Sequence, residues 1–301
     1  DMDDLFQTPK EAISRHSSKM HLVPPSGKPL KFDFDGYVLN RVAHDENLVE
    51  LAKKSGADYL IDSMVEKVEG NQVLLKNGDS YSAKIIVDAG GHNGPLRRDY
   101  WNEKSVKIPV KFVLMDGDFG EAVELHFGSM APGGYAWMFP KSKGANIGLG
   151  IQRSFAKGRN LNQYTDDFVS KYDGEISFTG AGSLPMSGTL KKFVKGNYML
   201  VGDSAGMVLP SNGAGITIAM IGGRIAGQVI SEHLSNGIPL EEYEKRWKKQ
   251  MGKVMRNSKR SFKMGSMLFR LPDWILNLLF NRLTKNIIWR AVTCRRMLWV
   301  L

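Results

Sequence analysis

A glycine-rich segment near residue 200 carries residue types that can bind a polar ligand. An apolar run ends at Gly202-Asp203, and a long helix is predicted to begin at Gly213-Ala214-Gly215. A carboxylate fixed at the end of a buried strand can accept hydrogen bonds from sugar or polyol hydroxyls. A helix start offers free N–H groups and a positive dipole end to an anionic ligand, and glycines let that ligand approach the backbone closely. The segment therefore predicts part of a dinucleotide site, although no phosphate-cradling G-x-G-x-x-G precedes it near the N-terminus.

The same predicted helix continues with small residues on one surface. They are favoured as a surface for close packing of the helix against a sheet rather than as ligand contacts. The residues are Ala219, Gly222, Gly223, Ala226 and Gly227.

Two further stretches could contribute to a site. Residues 87–98, VDAGGHNGPLRR, predict a strand, a tight turn and a basic pair, although an ordinary loop would give the same pattern. In residues 133–151, Tyr135, Trp137 and Phe139 alternate, so all three rings share one face of a strand. Such rings form either a core stripe or the wall of an apolar pocket, and the strand pattern by itself favours core.

Composition excludes several classes of protein. The chain has 301 residues, 42% of them hydrophobic, and the single cysteine, Cys294, excludes an internal disulfide framework and a cysteine-based metal site. The six histidines are scattered, so no metal is expected. The polar N-terminus is not a signal peptide, and no uncharged apolar run reaches the roughly 18 residues needed to span a bilayer. A cytoplasmic protein without a membrane span is expected.

The net charge of +10 is concentrated in the C-terminal tail. Residues 245–301 contain 15 Lys or Arg and one acid, Asp273, which gives +14 and leaves −4 for the remainder. Aromatic residues, including Trp274, Trp289 and Trp299, alternate with these charges. The pattern is typical of a segment on an anionic membrane surface, and a solvated helical domain with aromatic core residues is equally compatible. Nucleic-acid binding is disfavoured because no groove-reading motif accompanies the charge.

The predicted elements indicate an α/β fold with interleaved domains. A strand over 29–39 with an Asp35-Gly36 turn, a helix over 41–58, and a hairpin over 65–83 with an Asn77-Gly78 turn come first. The predicted domains are a Rossmann-type ligand-binding part (41–100 and 196–235), an antiparallel-sheet part (22–40 and 101–195), and a basic helical region (236–301). Such interleaving places a ligand between domains.

Several of these motifs together resemble the geranylgeranyl reductase family. Residues 134–151, GYAWMFPKSKGANIGLGI, are similar to its Tyr-x-Trp-x-Phe-Pro signature, and 197–220 to its flavin segment. Residues 87–98 are similar to its Asp-Ala-x-Gly turn, and 36–57 to its Arg-containing helix. The matches keep the family's order over roughly residues 30–235 and are closest to the archaeal enzymes that saturate the chains of digeranylgeranylglycerol lipids.

The resemblance implies a partial FAD-binding, hydroxylase-like domain. In this family the phosphate-cradling loop lies upstream, so the chain is expected to be N-terminally truncated and to lack the first βαβ unit. The departures from the family pattern are His44 in place of a bulky apolar residue and Gly90 in place of Ser, Thr or Asp. The residues implied to bind the cofactor are Arg41, Gly90, Gly202, Asp203, Pro210, Gly213, Ala214, Gly215 and Ile216.

The resemblance also implies the reaction, a reduction of C=C bonds in geranylgeranyl chains of membrane ether-lipid precursors or of a prenyl diphosphate. Tyr135, Trp137, Phe139 and Pro140 would line the substrate channel, with Tyr135 as the suggested proton donor. The expected partners are a prenyl lipid, an anionic membrane surface that the protein binds peripherally, and an unidentified electron donor. Two alternatives stay open: another flavoenzyme of the same fold, such as a monooxygenase or halogenase, and a non-catalytic prenyl-lipid-binding remnant.

Overall fold

The computed structural model describes residues 8–294, which form thirteen strands and seven α-helices. The strands are β1 (Ile13–Val23), β2 (Leu30–Leu39), β3 (Val65–Glu69), β4 (Gln72–Leu75), β5 (Ser80–Ser82), β6 (Ile86–Asp88), β7 (Lys107–Asp116), β8 (Val123–His126), β9 (Tyr135–Pro140), β10 (Ala145–Gly150), β11 (Glu175–Pro185), β12 (Val194–Lys195) and β13 (Tyr198–Leu200). The helices are α1 (Arg41–Lys54), α2 (Pro95–Tyr100), α3 (Leu161–Val169), α4 (Ile216–Asn236), α5 (Glu242–Leu268), α6 (Asp273–Leu279) and α7 (Lys285–Val292). This mixture confirms the predicted α/β class.

The chain divides into two compact units, each built from separated segments. Within the described residues, unit 1 contains Ser55–Lys107 and Pro185–Ser261. Unit 2 contains Thr8–Lys54, Ile108–Leu184 and the described residues from Phe262 onward. The predicted antiparallel-sheet part is too long, since residues 101–107 and 185–195 lie in unit 1. Two further assignments differ: α1 belongs to unit 2, and the C-terminal region is shared between both units.

Local contacts explain both differences. The start of α1 is tied to the segment before β1, because the Asn40 N–H donates to the Ala12 carbonyl. In unit 1, α5 is held by Glu244, whose carboxylate accepts hydrogen bonds from the N–H groups of Phe193 and Val194 at 2.7 and 3.0 Å. The buried Tyr243 donates to the carbonyl of Leu200. The first part of the C-terminal region is thus part of the core of unit 1.

Unit 2 is organised around a seven-stranded sheet with the order β11-β7-β10-β9-β8-β1-β2. The pairs β10–β9 and β10–β7 are antiparallel, whereas β1 and β8 run parallel. Helix α3 begins with a capping box between Asn160 and Gln163, and it buries Tyr164 and Phe168 with the residues on one face of the sheet. Alternate side chains of the central strands, such as Met138 and Ile147, complete this core. One face of the central strands β7, β10 and β9 is therefore buried in this core.

The first hairpin of unit 2 corrects two details of the sequence reading. Strand β1 was not predicted, because most of its side chains are polar and its only buried apolar residues are Leu22 and Val23 at its end. The predicted turn at Asp35-Gly36 is wrong, since both residues lie inside β2 and Gly36 pairs with Ser17. A Cβ at Gly36 would lie 2.6 Å from the Phe34 ring, so glycine serves close packing beside an irregularity in the register.

Unit 1 contains two three-stranded sheets. In the first, with the order β12-β13-β6, strands β13 and β6 are parallel. In the second, β3, β4 and β5 form an antiparallel meander. The predicted Asn77-Gly78 turn joins β4 to β5, with Gly78 at φ +94° and the Asp79 N–H bonded to the Asn77 side chain. Glycine's freedom at positive φ is required there.

A partly buried polar cluster in unit 2 connects β1, β8 and the residues after α3. The Glu124 carboxylate lies 2.9 Å from His126 Nε2 and 3.4 Å from His21 Nδ1, and the Tyr172 hydroxyl lies 3.3 Å from His126 Nε2. The hydrogen bond with His126 lowers the pKa of Glu124, more than burial raises it, with smaller help from His21. Charge on Glu124 is therefore favoured by the folded state.

We expect Glu124→Gln to reduce the free energy of unfolding at pH 7 by about 1.5–3 kcal/mol, the range for hydrogen bonds to charged groups. Because the folded pKa lies below the ordinary value of 4.5, this contribution is complete above that value and is lost as the pH falls through the folded pKa. Urea unfolding at several pH values measures it, with the exposed Glu121→Gln as control. A deficit that does not shrink in acid would contradict the assignment.

Candidate functional site

The two glycine-rich turns of unit 1 are held together by one buried carboxylate. Asp88 ends β6 opposite Leu200 of β13. Its carboxylate accepts hydrogen bonds from the Gly90 N–H at 2.8 Å, the Arg97 N–H at 3.0 Å and the Ser204 hydroxyl at 3.0 Å. Since Gly90 and Ser204 lie in different turns, Asp88 fixes both turns as one surface at the carboxyl ends of the parallel strands.

Sequence reasoning missed Asp88 as a structural residue, although its position between a strand and a glycine-rich turn was visible. Gly94 belongs to the same arrangement, because a Cβ there would lie 2.1 Å from Asp88 Oδ1. Bulk at Gly94 would displace the carboxylate that holds the turns. The glycines of this motif thus have a packing reason beside any ligand.

Asp203 lies in the second turn with an unsatisfied side chain. It belongs to the short 3-10 helix Gly202–Ala205, between Gly202 at φ +63° and Gly206 at φ +70°. Its carboxylate is half-buried, and none of residues 8–294 donates a hydrogen bond to it. Burial raises the pKa of Asp203, and the nearby His92 opposes that shift. A half-buried carboxylate of this kind is suited to accept hydrogen bonds from a hydroxylated ligand.

The start of α4 lies beside Asp203. Helix α4 has Gly215 as its N-cap residue, and no side chain caps it. A Cβ at Gly215 would lie 3.6 Å from Asp203 Oδ1, so the backbone of Gly215 and the carboxylate are direct neighbours. The preceding loop is closed by hydrogen bonds from Gly213 N–H to Leu209 O and from Leu209 N–H to Ala214 O. This loop contains the other predicted cofactor residues, Pro210, Gly213 and Ala214, and leads into Ile216.

Most of the predicted cofactor residues therefore gather in unit 1, and Arg41 does not. Arg41 belongs to unit 2, where its exposed guanidinium pairs with Asp45 at 2.9 Å. Gly90 is in unit 1, in the turn that Asp88 ties to Ser204. The role of Arg41 stays a prediction.

A cavity of about 450 Å³ opens beside Asp203. Its lining also includes His92, the acidic Glu103 and four basic residues (Arg97, Arg98, Lys104 and Lys107), so basic side chains outnumber acidic ones. Burial lowers the pKa of His92, the charge of Lys107 adds to this, and Asp203 opposes it. His92 was missed as a site residue, although the Asp-Ala-Gly-Gly-His run contained it. The cavity thus brings the Asp203 carboxylate together with several cations.

The small residues of α4 only partly behave as predicted. A Cβ at Gly222 would lie 2.6 Å from Met207 Sδ, which confirms close packing there. Gly223 and Gly227 are exposed, and a Cβ at either would meet nothing within 4 Å in the described chain, so the packing prediction is wrong for them.

In unit 2, β9 presents its three rings on one face, as predicted. Tyr135, Trp137 and Phe139 are half-buried, with neighbouring ring centroids 6.0 and 6.1 Å apart. The Trp137 Nε1–H donates to Asn146 Oδ1 at 2.7 Å, which fixes the indole. Burial raises the pKa of Tyr135 to about 12, so its phenol keeps its proton at neutral pH.

Pro140 does not join this face. It is buried and has the strand parity of Ala136 and Met138, which point into the core under α3. The prediction that Pro140 lines the substrate channel is therefore wrong, because alternation in a strand sends it to the opposite side.

The C-terminal part of unit 2 covers one end of the ring-bearing face. Trp289 stacks on Phe32 with ring centroids 4.5 Å apart, and Phe280 lies 5.4 Å from Phe127. Trp289 is thus a packing residue, whereas Trp274 is exposed. Trp299 lies outside the described residues. Some aromatic residues of the tail are therefore packed and others face solvent, and binding of the tail to a membrane surface stays a prediction.

Comparisons with known proteins identify relatives of this chain and of its fold. Residues 106–181 match the geranylgeranyl reductase catalytic domain. The digeranylgeranylglycerophospholipid reductase of Methanococcus vannielii is 31% identical, over 92% of this chain and 77% of that protein. A geranylgeranyl bacteriochlorophyll reductase-like structure from Thermoplasma acidophilum has a TM-score of 0.79 at 25% identity, covering 90% of this chain and 76% of that one. A flavin-dependent brominase shares the fold, with a TM-score of 0.70 at 16% identity over 97% of this chain and 81% of that one.

The residues of unit 1 fit FAD, the cofactor of this fold. The unpartnered Asp203 carboxylate suits the hydroxyls of the ribitol chain, and the bare Gly215 leaves room beside it. The uncapped N-terminus of α4 offers N–H groups and a positive dipole end.

We expect Asp203→Ala to weaken FAD binding by roughly tenfold to a hundredfold, because a hydrogen bond to a charged group contributes about 1.5–3 kcal/mol. Fluorescence titration of the apoprotein with FAD measures the dissociation constant. Asp79→Ala, at an exposed turn of unit 1, is the control and should leave it unchanged. Equal FAD affinity in the Asp203 variant and the parent protein would remove the role given to this residue.

Proposed function

Because the chain belongs to the digeranylgeranylglycerophospholipid reductase family, we propose that it is an FAD-dependent oxidoreductase that saturates C=C bonds in the geranylgeranyl chains of ether-lipid precursors. The observation that carries the proposal is the ring-bearing face of β9, which lies inside the matched catalytic domain. A prenyl diphosphate carries the same chain and is the second substrate to be compared. The electrons come from a donor that is still to be identified.

When bound in reduced form, FAD supplies the hydride that adds to one alkene carbon, and a proton adds to the other. Asp203 holds the polyol part of the cofactor through its free carboxylate. The start of α4 at Gly215 and Ile216 stabilises negative charge with its N–H groups and dipole. The basic cavity around His92 and Lys107 is suited to phosphoryl groups.

The rings of β9 are suited to a hydrocarbon substrate. Tyr135, Trp137 and Phe139 offer a half-buried apolar surface that needs no polar partner from the substrate. Removing a prenyl chain from water onto such a surface is favourable by about 25 cal/mol per Å² of apolar area. Tyr135 is the only phenol of β9, and burial raises its pKa to about 12, so it is protonated at neutral pH and is a weaker acid than an ordinary tyrosine. Its role as proton donor stays a prediction.

Family membership, and not the fold, distinguishes the proposed reductase function from the alternative functions. A flavin-dependent brominase shares the fold at 16% identity, so the fold by itself is compatible with a halogenase or a monooxygenase. The match of residues 106–181 and the relatedness to the reductases favour reduction of prenyl chains. A prenyl-lipid-binding protein without catalysis would show binding and no turnover.

We expect Trp137→Ala to lower kcat/KM for geranylgeranyl substrates by at least about tenfold, since the indole would contact the prenyl chain on the half-buried ring face of β9. The matched control is Met138→Ala, its neighbour on the buried face, which should cost about 2–5 kcal/mol of stability and leave the activity of the folded fraction intact. Thermal unfolding and lipid mass spectrometry measure the two quantities. A large loss of stability with normal specific activity for Trp137→Ala would instead assign the rings to the core.

We also propose that the C-terminal part of unit 2 binds an anionic membrane surface. Helix α6 is anchored by side-chain hydrogen bonds: the Asp273 carboxylate accepts from the Ser129 N–H at 3.0 Å and hydroxyl at 2.6 Å, and Asn277 accepts one from the Ser26 N–H. Leu276 is buried under the helix. Trp274 and Leu278 consequently point outward and are 64% and 65% exposed.

The apolar surface continues beyond α6. Leu283 is 92% exposed, Ile287 is also exposed, and Arg282 lies among them. Exposed apolar side chains are unfavourable in water, and their burial in the lipid interface is favourable. Each basic residue close to an anionic surface adds about 1 kcal/mol of attraction, screened by salt. No helix within residues 8–294 has the length and apolarity to cross a bilayer.

We expect the double variant Trp274→Ser and Leu278→Ser to bind phosphatidylglycerol vesicles at least about tenfold more weakly, because two exposed apolar side chains are removed from the contact. Vesicle co-sedimentation at low and high salt measures this, and binding of the parent protein should decline as salt rises. The control, Tyr59→Ser with Ile61→Ser, removes exposed apolar residues from unit 1. A parent protein that ignores anionic vesicles at low salt would refute the membrane proposal.

A further inference from the structure

The ring-bearing face of the large sheet continues past β9 toward β11. Gly148 of β10 pairs with Trp137 on one side and with Phe112 of β7 on the other. A Cβ at Gly148 would lie 2.6 Å from Trp137 Cζ2 and 2.6 Å from Phe112 Cβ, so the two aromatic residues flank a bare strip of backbone. The Phe112 ring in turn lies 6.1 Å from that of Phe178 on β11. Aromatic side chains thus line one face from β9 to the edge of the sheet.

The two ends of this face differ in exposure. At the β1–β2 end, Phe280 and Trp289 pack over it. At the β11 end, Phe178 is 53% exposed and Ile176, two residues earlier on the same strand face, is 49% exposed. This end therefore offers apolar surface to an additional ligand.

Glycines place bare backbone beside the rings at this end, and a Cβ at Gly180 would lie 2.4 Å from Phe112 Cζ, so that ring packs over the glycine. Gly180 and Gly182 follow Phe178 at the same strand parity, and a Cβ at Gly182 would meet only Val110 Cγ2, at 3.7 Å. β11 contains a single charged residue, Glu175, at its start. An uncharged strip of rings and small residues suits a flexible hydrocarbon better than a polar chain.

We propose that Phe112, Ile176 and Phe178 bind the distal isoprene units of the geranylgeranyl chain whose proximal part lies on β9. This inference rests on the proposed function and adds the residues that read chain length. From β9 to β11 the chain would cross three strand intervals, about 14 Å at roughly 4.8 Å each. Continuity of the rings from Trp137 through Phe112 to Phe178 is the argument for this occupant. Short prenyl chains end before they reach β11.

Photo-crosslinking tests the placement without requiring turnover. The FAD-loaded protein is irradiated with a geranylgeranyl phospholipid analogue that carries a diazirine at its distal end, and the labelled peptides are identified by mass spectrometry. We expect the label on β7 and β11, and a geranyl-length analogue should label residues around β9 instead. Distal label found only outside β7 and β11 would overturn the proposal.

Kinetics supply the second measurement. Phe178→Ala should lower kcat/KM for a geranylgeranyl substrate by about five- to tenfold and leave that for a geranyl substrate unchanged. The control is Thr179→Ala, the next residue on the opposite strand face, which should change neither value. An equal loss for both chain lengths would refute a distal subsite. Self-association of the protein would also refute it if Phe178→Ala dissociates the assembly and leaves kcat/KM unchanged. A second copy of the chain would then cover this surface.

The two proposals fail separately. Distal label on β11 in a protein that saturates no prenyl substrate would overturn the reductase function and leave the binding surface in place. Saturation of geranylgeranyl chains with no label on β7 or β11 would overturn only the distal subsite.

Discussion

The alternation of side chains along β9 is the constraint on which the account of unit 2 depends. Because successive residues of a strand point to opposite faces, Ala136 and Met138 enter the core beneath α3 while Tyr135, Trp137 and Phe139 must share the other face. That second face cannot be closed by the same core. It is covered by C-terminal helices at one end and stays open at the other, which is how a globular domain can present an extended apolar surface to a lipid.

In unit 1 the decisive groups are two carboxylates, Asp88 and Asp203, which lie at neighbouring glycine-rich turns. Asp88 accepts hydrogen bonds from donors in both turns, so the Asp203 side chain is not needed to hold the turns together. Asp203 is left half-buried, without a donor, next to the bare backbone of Gly215. A partly buried carboxylate without a donor reduces the stability of the apoprotein, and hydrogen bonds from cofactor hydroxyls would offset that cost.

Sequence reasoning succeeded where a local pattern determines structure and failed where distant contacts decide. Period-two alternation predicted the ring face of β9, and Asn77-Gly78 predicted its turn. Asp35-Gly36 carried an equally good turn signal, yet pairing with β1 kept it extended. Trp274 and Trp289 look alike in sequence, and only the position of Phe32 makes Trp289 a packing residue. Arg41 was assigned by resemblance; in the structure it pairs with Asp45 one turn later in α1, and its role stays a prediction.

The most direct test of the central claim is the mass of the lipid product. The FAD-loaded protein is incubated without oxygen, with dithionite as reductant, together with a digeranylgeranylglycerol phospholipid in anionic vesicles. The account predicts lipids that gain two hydrogen atoms for each double bond reduced, and no gain when FAD is omitted. Substrate recovered at its original mass while the bound flavin is fully reduced would contradict the assignment of this chain as a prenyl reductase.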